Sequence, residues 1–373
     1  MNEIKQNQKV LLICGSSQTV LTFRLGLIRA LQAEGLSVFV VALDDKFRDD
    51  IVSNGIEFYG LNTQNRSLNP FGMKKLQKQY LSLIRRLKPD IVFTFMLKPN
   101  IFGVRAAKKA GVGRIFSVVE GAGDVFINNG LKWKVIRAVV SKMYRKSFRC
   151  AEKVFFLNQD DKKEFIERKL VKSEPCEVIP GIGVDVEKFA YKPIKSRNTF
   201  LMVARMLTTK GVYEYCECAR TVKSKYPDAT FNYLGAEGTV KLADIQEYVD
   251  DGSINYLGTT KDVRPFYEDC FVYVLPSYRE GMPMSIMEAE ATGRAIIATD
   301  VNGCRDTVCV GENGFLIPRG DSMTMAEKAI WCIEHPEEVE NLGKNARAFA
   351  EEKFDQKKIN ARVIEILAGG RAN

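Results

Sequence analysis

The stretch SYREGMPMSIMEAEA, residues 277–291, contains the change from strand to helix that decides the fold of this chain. The preceding segment, Phe271–Leu275, is an apolar run of strand length. Gly281 and Pro283 then interrupt the pattern, and Met284–Ala291 can run as a helix with Pro283 near its favoured first position. A buried strand, a tight turn and a helix form the repeating unit of an α/β protein with parallel sheets.

Two glutamates of this stretch, Glu280 and Glu288, lie eight residues apart. Glu280 is predicted on the loop and Glu288 about one turn into the helix, so both can face a ligand at the carboxyl end of the strand. A carboxylate accepts two hydrogen bonds at once, which suits sugar and ribose hydroxyls, and the first amides of a helix suit phosphate oxygens. The spacing indicates a sugar-nucleotide site. The alternative is an ordinary strand-turn-helix with solvated glutamates.

A second pattern, VARMLTTKG at residues 203–211, places Arg205 and Lys210 in a loop after the predicted strand Thr199–Ala204. Arg supplies a rigid fork and Lys a compact charge, so the two can approach a diphosphate together. A departing nucleoside diphosphate needs neutralisation by a metal ion or by cations. Because the sequence contains no Asp-x-Asp triplet, we expect these two residues to replace a metal. A solvated pair in a surface loop is the alternative.

Glu280 and Glu288 fit the E-x7-E signature of the retaining family-4 glycosyltransferases, and Arg205 and Lys210 resemble the R-x4-K diphosphate site of that family. The similarity covers most of the chain and is strongest to bacterial N-acetylgalactosaminyltransferases acting on undecaprenyl-diphosphate-linked sugars. It implies the GT-B fold, an α/β architecture in which two Rossmann-like domains with parallel sheets face each other across a cleft. It also implies a retaining, metal-independent transferase without a cofactor, with Glu280, Arg205 and Lys210 as catalytic residues.

The resemblance also assigns residues to the donor and acceptor sides of the expected cleft. The predicted donor contacts are Ser16, Ser17, Arg205, Lys210, Glu280, Gly281, Met282, Pro283, Met284 and Glu288. The predicted acceptor contacts are Lys98, Asn100 and Glu120. Leu97 stands where many relatives have a catalytic-loop histidine, which leaves open whether Lys98 contacts donor or acceptor. A UDP-linked N-acetylhexosamine is the favoured donor, although UDP-hexose and GDP-mannose use the same glutamate pair.

The composition of the 373 residues, 46% hydrophobic and 27% charged, is that of a globular protein large enough for two domains. Nine cysteines lie scattered without a Cys-x-x-Cys pair, and His335 is the only histidine. These counts argue against a metal cluster, and the position of His335 near the carboxyl end of a probable helix argues against a Ser-His-Asp triad. With no signal peptide and no apolar run long enough to span a bilayer, we expect a cytoplasmic protein, peripheral on the cytoplasmic face of the inner membrane.

Short apolar runs alternate with helix-length amphipathic segments along the chain, which indicates two α/β blocks. We predict an acceptor and membrane-facing domain at 1–190, a nucleotide-sugar domain at 191–350, and a helix at 351–373 that packs back on the first domain. The predicted strands span residues 9–14, 37–43, 56–61, 90–95, 114–119 and 153–157 in the first block, and 199–204, 230–234, 254–257, 271–275, 295–298 and 314–317 in the second.

Positive charge is concentrated in the first block, since residues 1–190 contain 32 basic and 19 acidic residues. The segment Leu131–Arg149 has seven basic and no acidic residues, with apolar residues at helical spacing. Such a helix suits an anionic membrane surface, and a helix packed on the sheet with a solvated basic face is the alternative. The predicted membrane residues are Lys132, Trp133, Lys134, Arg137, Lys142, Arg145, Lys146 and Arg149. Nucleic-acid binding is not expected, because no interleaved aromatic platform or binding motif occurs.

The preferred interpretation is therefore transfer of a sugar from a nucleotide sugar to a polyprenyl-diphosphate-linked saccharide in surface polysaccharide or glycan assembly. A non-hydrolysing UDP-sugar 2-epimerase shares the fold but uses several histidines, and this chain has one. A nicotinamide-dependent dehydrogenase needs a dinucleotide fingerprint, which is absent after the first strand. A non-enzymatic peripheral membrane protein would explain the basic helix but not the glutamate pair.

Overall fold

A computed structural model of the chain describes residues 7–62, 70–121, 123–127 and 130–368. They form two compact units. One contains the described residues up to Ile179 together with residues 357–368, and the other contains Pro180–Gln356. The change of unit at Pro180 lies upstream of the domain boundary predicted near residue 190.

The first unit is built on a seven-stranded sheet in which all paired strands are parallel. Its strands are β1 (Lys9–Ile13), β2 (Ser37–Ala42), β3 (Glu57–Gly60), β4 (Ile91–Phe95), β5 (Arg114–Val119), β6 (Lys153–Phe156) and β7 (Cys176–Val178). They lie in the order β3-β2-β1-β4-β5-β6-β7. The order reverses between β1 and β4, and such a switch point opens a crevice at the carboxyl ends of the two strands.

Helices connect these strands as crossovers. They are α1 (Ser17–Phe23), α2 (Leu25–Ala33), α3 (Arg48–Ser53), α4 (Pro70–Leu87), α5 (Val104–Ala110), α6 (Asp124–Ile127), α7 (Leu131–Phe148) and α8 (Gln159–Glu167), and a π-helical turn, Pro99–Gly103, precedes α5. Residues 10–13 of β1 are fully buried. Continuous burial is expected of a parallel strand covered on both faces, and it explains why these strands are almost wholly apolar.

The second unit has a six-stranded sheet, also parallel in every strand pair. Its strands are β8 (Thr199–Val203), β9 (Thr230–Leu234), β10 (Asn255–Tyr256), β11 (Val272–Leu275), β12 (Ala295–Thr299) and β13 (Gly314–Ile317). They lie in the order β10-β9-β8-β11-β12-β13. The switch point of this sheet is therefore between β8 and β11, the strands that precede the two patterns identified in the sequence.

The helices of the second unit follow the same alternation. They are α9 (Val212–Lys225), α10 (Gln246–Asp250), α11 (Arg264–Asp269), α12 (Met284–Ala291), α13 (Ser322–Glu334) and α14 (Pro336–Phe349), with short 3-10 turns at Thr208–Lys210, Leu242–Ile245 and Arg305–Thr307 and a π-helical turn at Ala350–Phe354. The last helix, α15 (Gln356–Leu367), begins at the end of this unit. Its remaining residues group with the first unit, where Arg114 Nη1 donates a hydrogen bond to the Leu367 carbonyl. The rest of the predicted segment 351–373, residues 369–373, lies outside the described residues.

The strand predictions for the first sheet miss one strand. The edge strand β7 was not predicted, because its sequence, Cys-Glu-Val, is too short to show a period. The helix predicted at Met284–Ala291 is confirmed as α12, and Pro283, predicted near its first position, is its N-cap, with φ −76° and ψ 109°.

Candidate functional site

The candidate site lies at the carboxyl ends of β8 and β11. The two strands are paired in parallel, so the loops that follow them leave the sheet side by side. Arg205 and Lys210 lie on the loop after β8, and Glu280 lies on the loop after β11. The two loops are joined by a hydrogen bond from the Tyr278 amide to the Thr209 carbonyl, 2.8 Å long.

Lys210 Nζ donates a hydrogen bond to Glu280 Oε1, forming an ion pair between the two loops. The side chains are partly buried, with 25% of Lys210 and 12% of Glu280 exposed. Arg205 is exposed, and no described side chain pairs with its guanidinium. The site thus presents one cation held by a carboxylate and a second cation open to an anionic ligand.

Glycines allow this close approach. Gly211, with φ 74°, directly follows Lys210, and a Cβ at Gly211 would collide with the Pro276 carbonyl. Gly303, with φ 80°, packs on the other side of the loop, where a Cβ would lie 2.7 Å from the Gly281 carbonyl oxygen. A larger residue at either position would force the backbone beside Lys210 or Glu280 to shift, so both loops have a fixed shape.

The segment after Glu280 leads into α12. Pro283 is buried and is the N-cap of this helix, and its carbonyl accepts from the amides of Ile286 and Met287. The amides of Met284 and Ser285, at the first two positions of α12, have no intrahelical acceptor. The Glu280 amide donates to the Asn302 carbonyl at 3.1 Å, which anchors the start of the segment. Gly281, Met282 and Met284 are partly exposed. An anionic or hydroxylated ligand could accept hydrogen bonds from this helix end.

Glu288 lies one turn into α12, where Tyr267 donates its hydroxyl proton to Glu288 Oε2 at 2.9 Å. Burial raises the pKa of the Glu288 carboxyl to about 7. Burial also raises the pKa of the neighbouring Tyr273 hydroxyl, and the charges of Glu288 and Glu280 add to this effect. Both carboxylates of the sequence motif therefore act electrostatically on one buried hydroxyl of β11.

In the first unit, the two predicted serines after β1 have different environments. Ser16 is the N-cap of α1 and accepts a hydrogen bond from the Thr19 amide at 3.3 Å. Ser17 is fully buried, and its hydroxyl donates to Asp44 Oδ1 while accepting from the Phe47 amide. Ser17 thus ties the loop after β1 to the loop after β2, whereas Ser16 is partly exposed.

The loop after β4 contains the predicted residues Lys98 and Asn100. Asn100 is buried, accepts from the Thr94 hydroxyl at 2.7 Å and donates to the Val118 carbonyl at 2.7 Å. These hydrogen bonds hold the π-helical turn to β4 and β5. Contact of Asn100 with an acceptor stays a prediction. Lys98 is also buried, and burial lowers the pKa of its ammonium group.

Arg24 is a residue of this region that the sequence patterns missed. It is 2% exposed, forms an ion pair with the predicted acceptor residue Glu120, and lies 4.1 Å from the ring centre of Phe95. Burial lowers the Arg24 pKa to about 10. An arginine between two helices carries no spacing signal, so only the fold could bring it to the carboxyl ends of β4 and β5.

The predicted membrane helix, α7, has one face on the core. Trp133 packs against the hydrophobic core of the first unit. Arg137 Nε donates to the Val125 carbonyl, and Arg145 Nε donates to the Lys169 carbonyl, each at 3.0 Å. The other predicted membrane residues, Lys132, Lys134, Lys142, Lys146 and Arg149, are exposed.

The described part of the chain lacks both a metal-binding cluster and a membrane-spanning helix. Residues 7–62, 70–121, 123–127 and 130–368 contain no group of three or more Cys, His, Asp or Glu side chains arranged to hold a metal ion. Within the same residues, no helix has the length and apolarity needed to cross a bilayer.

The sequence and the fold were then compared with known proteins. The family model for glycosyl transferases group 1 matches residues 184–349, and the model described as glycosyl transferase 4-like matches residues 9–158. The chain is 30% identical over 358 residues to the N,N'-diacetylbacillosaminyl-diphospho-undecaprenol alpha-1,3-N-acetylgalactosaminyltransferase of Campylobacter jejuni, covering 92% of this chain and 94% of the relative.

A second relative is the UDP-Gal:alpha-D-GlcNAc-diphosphoundecaprenol alpha-1,3-galactosyltransferase of Escherichia coli. It is 31% identical over 267 residues, which cover 67% of each chain. Among solved structures, Anabaena HepE in complex with UDP superposes with a TM-score of 0.81 at 18% identity, covering 97% of this chain and all of HepE. The structural match extends over both units.

Proposed function

Because this chain belongs to the family-4 glycosyltransferases of the GT-B fold, we propose that it transfers a sugar, with retention and without a metal ion, from a UDP-linked donor to a lipid-linked saccharide. The second unit would bind the donor through Arg205, Lys210, Glu280 and Glu288. The first unit would present the acceptor.

The contact between Lys210 and Glu280 carries this proposal. It joins residues from two loops at the switch point of a parallel sheet, where ligands of such folds bind. When a donor binds, its diphosphate can replace Glu280 as the partner of Lys210, and the sugar hydroxyls can replace Lys210 as partners of Glu280. Arg205, already exposed, would supply the second positive charge to the diphosphate.

The proposed reaction needs no covalent intermediate on the protein. The bond between the sugar C1 and the diphosphate oxygen breaks, and the acceptor oxygen forms a bond to C1 on the same face. The acceptor hydroxyl proton passes to an oxygen of the departing diphosphate. Arg205 and Lys210 stabilise the negative charge that develops on that group, and Glu280 orients the sugar ring.

The two relatives support the proposed substrate classes. Both act on sugars linked to undecaprenol through a diphosphate, and the Escherichia coli enzyme uses UDP-Gal. The Campylobacter jejuni enzyme transfers N-acetylgalactosamine. We therefore favour a UDP-linked N-acetylhexosamine as donor and a polyprenyl-diphosphate-linked saccharide as acceptor, in surface polysaccharide or glycan assembly.

A lipid-linked acceptor requires a protein that reaches a bilayer surface, and the outward face of α7 has suitable chemistry. Leu131, Val135 and Val139 are 80%, 60% and 51% exposed, although they are apolar. Exposed lysines, including Lys132 and Lys142, lie beside them. We propose that α7 lies on the anionic cytoplasmic face of the inner membrane, with the apolar residues at the level of the headgroups.

The proposed activity is tested by acceptor-dependent release of UDP. The protein is incubated with a series of UDP-sugars, with and without a polyprenyl-diphosphate-linked saccharide, and UDP is measured. A glycosyltransferase should release UDP from one of the donors, and this release should require the acceptor. A UDP-sugar epimer formed without acceptor would instead indicate an epimerase, and no turnover with any donor would contradict the proposal.

A further inference from the structure

A cavity of about 680 Å³ opens at the amino-terminal edge of the first sheet. Its walls come from the end of α7, the end of α8, and the segments that lead into β6 and β7. The loops after β1, β4 and β5 leave the opposite edge of the sheet, because the strands are parallel. A ligand in this cavity would therefore not compete with the acceptor site proposed at those loops.

Cations dominate the lining of the cavity. Arg145, Arg149, Lys169 and Lys172 line it and are exposed. Arg145 is held by backbone carbonyls of the α8 end, whereas no described side chain pairs with the other three. A fifth cation in the lining, Lys153, is neutralised by Glu177 at 2.6 Å.

Two acidic residues also line the cavity, and they do not balance these charges. Glu152 is paired with Arg114, which is not part of the lining, at 2.6 Å. Glu174 remains as one carboxylate opposite the four cations. The cavity is therefore suited to an anion, because several hydrogen-bond donors that point in different directions can surround one phosphate group.

The remaining walls are apolar. Ile166 and Pro175 line the cavity and are partly exposed, and the lining also includes Phe148, Leu170 and Val171, which are buried. An inorganic phosphate would leave these apolar walls in contact with water. An amphiphile, with a phosphate beside the cations and hydrocarbon against the apolar walls, would cover both kinds of surface.

One stripe of α7 connects the cavity to the proposed membrane surface. Leu131, Val135, Val139, Lys142, Lys146 and Arg149 recur every three or four residues, which places them on one side of the helix, and all six are exposed. The stripe is apolar in its first half and basic in its second half, and it ends at Arg149 in the cavity lining. α7 runs from the carboxyl-terminal edge of the sheet to the amino-terminal edge, about 27 Å for 18 residues.

We propose that this cavity binds the phosphate headgroup of an anionic phospholipid and so fixes the orientation of α7 on the bilayer. The proposal rests on the proposed function, since a lipid-linked acceptor is reached at a bilayer surface. The headgroup would hold the basic end of the stripe, and the apolar end would lie near the loops of the acceptor side. No covalent step is involved.

The test uses the full chain and short-chain lipids that stay monomeric in water. Dihexanoyl phosphatidylglycerol, dihexanoyl phosphatidylcholine and inorganic phosphate are titrated separately, and binding is measured by calorimetry. The variant combines Arg149→Gln, Lys172→Gln and Lys169→Asn, the last because Lys169 has φ 54° and asparagine tolerates this conformation. The matched control, Lys74→Gln with Lys75→Gln and Lys78→Gln, removes the same charge from exposed lysines of α4.

The wild-type protein and the control should bind phosphatidylglycerol saturably, and the cavity variant should bind it at least about tenfold more weakly, since each cation contributes severalfold. Unchanged affinity of the cavity variant, or an equal loss in the control, would contradict the proposal. Equal affinity of the wild-type protein for phosphatidylcholine or inorganic phosphate would contradict the assignment to an anionic lipid. Transfer to a water-soluble acceptor should be unchanged in the cavity variant, so failure of this proposal is distinguishable from failure of the proposed function.

Discussion

Lys210 and Glu280 neutralise each other in the free protein, so a donor that binds between them exchanges one ion pair for two sets of contacts. The pair keeps both side chains in place without a ligand, which reduces the reorganisation needed when the diphosphate departs. Arg205 has no such partner among the described residues and would be ordered only by the donor. The two cations therefore differ in the free protein, where a carboxylate holds Lys210 and Arg205 is exposed.

At this scale, Lys210→Ala should lower kcat by about 10²- to 10³-fold, the usual effect of removing one group that stabilises developing charge. Arg205→Ala should have an effect of the same order, and EDTA should change neither the wild-type rate nor the residual rates. Steady-state kinetics with and without EDTA measure this. Lys261→Ala, at an exposed position of the same unit, is the control and should be neutral. Loss of activity in EDTA with recovery in Mg²⁺ would contradict the metal-free assignment.

Glu288 should make donor binding depend on pH. Its carboxyl has a pKa of about 7 because it is buried, so it is largely protonated below that pH in the free protein. Ribose hydroxyls donate to the ionised form, so donor affinity should be highest above pH 7. It should fall by up to about tenfold per unit as the pH drops through and below this value. A UDP-sugar is the right probe, because its diphosphate is esterified at both ends and does not titrate in this range.

Two variants check the origin of this pH dependence. Glu288→Gln should weaken donor binding above pH 7 and remove the pH dependence. Tyr267→Phe removes a hydrogen bond that stabilises the carboxylate, so the midpoint should move to higher pH. If the affinity of the wild-type protein for the UDP-sugar stays constant between about pH 6 and pH 8, donor binding is not linked to ionisation of Glu288.

At the scale of single elements, α12 carries a second buried carboxyl that is not part of the glutamate pair. Glu290 is fully buried and accepts a hydrogen bond from Asn313 Nδ2 at 2.8 Å, which ties α12 to the residue before β13. Burial raises the Glu290 pKa well above its usual value. At pH values above the ordinary glutamate pKa, the unfolded chain has released the Glu290 proton, whereas the folded state still holds it.

The free energy of unfolding should consequently decrease as the pH rises above the unfolded-state pKa of this group, because the folded state then binds more protons than the unfolded state. Glu290→Gln should preserve the Asn313 contact and flatten this dependence, so that it stabilises the protein at pH 8 relative to wild type more than at pH 5. Thermal unfolding at the two pH values measures this. Glu327→Gln, exposed on α13, should leave the dependence unchanged. Parallel profiles for wild type and Glu290→Gln would contradict the neutral state of this carboxyl.

The outward stripe of α7 allows a test of membrane binding that is independent of charge. Leu131→Ser, Val135→Ser and Val139→Ser together should lower binding to vesicles that contain phosphatidylglycerol at least about tenfold, since each removes apolar area available for burial. Vesicle co-sedimentation measures this. Val52→Ser, Val310→Ser and Met323→Ser form the control, because these apolar side chains are 49%, 64% and 59% exposed elsewhere. An equal decrease in both variants, or none in the first, would contradict a role for this stripe.

At the scale of the whole molecule, hydrophobic pattern predicted the strands better than it predicted polar contacts. The strands at residues 114–119, 230–234 and 314–317 were predicted with their observed ends, because each is a mostly apolar segment bounded by turn residues. The pair Glu280 and Glu288 and the pair Arg205 and Lys210 were also identified from spacing, since each pair is close in sequence around one strand-to-helix connection.

Contacts that join distant segments could not be predicted in this way. Arg24 reaches Glu120 only because the parallel sheet places α1 and the loop after β5 at one edge. Asn100 looks like a loop residue in the sequence, yet the network with Thr94 and Ser117 buries it. A sequence pattern predicts the secondary structure of its own residues. The partners of a polar side chain depend instead on the order of strands in the sheet.

The central claim is retaining transfer from a nucleotide sugar, and the anomeric configuration of the product tests it most directly. The protein should be incubated with an α-linked UDP-N-acetylhexosamine and a polyprenyl-diphosphate-linked saccharide, and the anomeric proton of the new linkage examined by NMR. Transfer on the same face, with Arg205 and Lys210 stabilising the leaving diphosphate, predicts an α-glycoside. A β-glycoside from the α-linked donor would contradict both the mechanism and the retaining assignment.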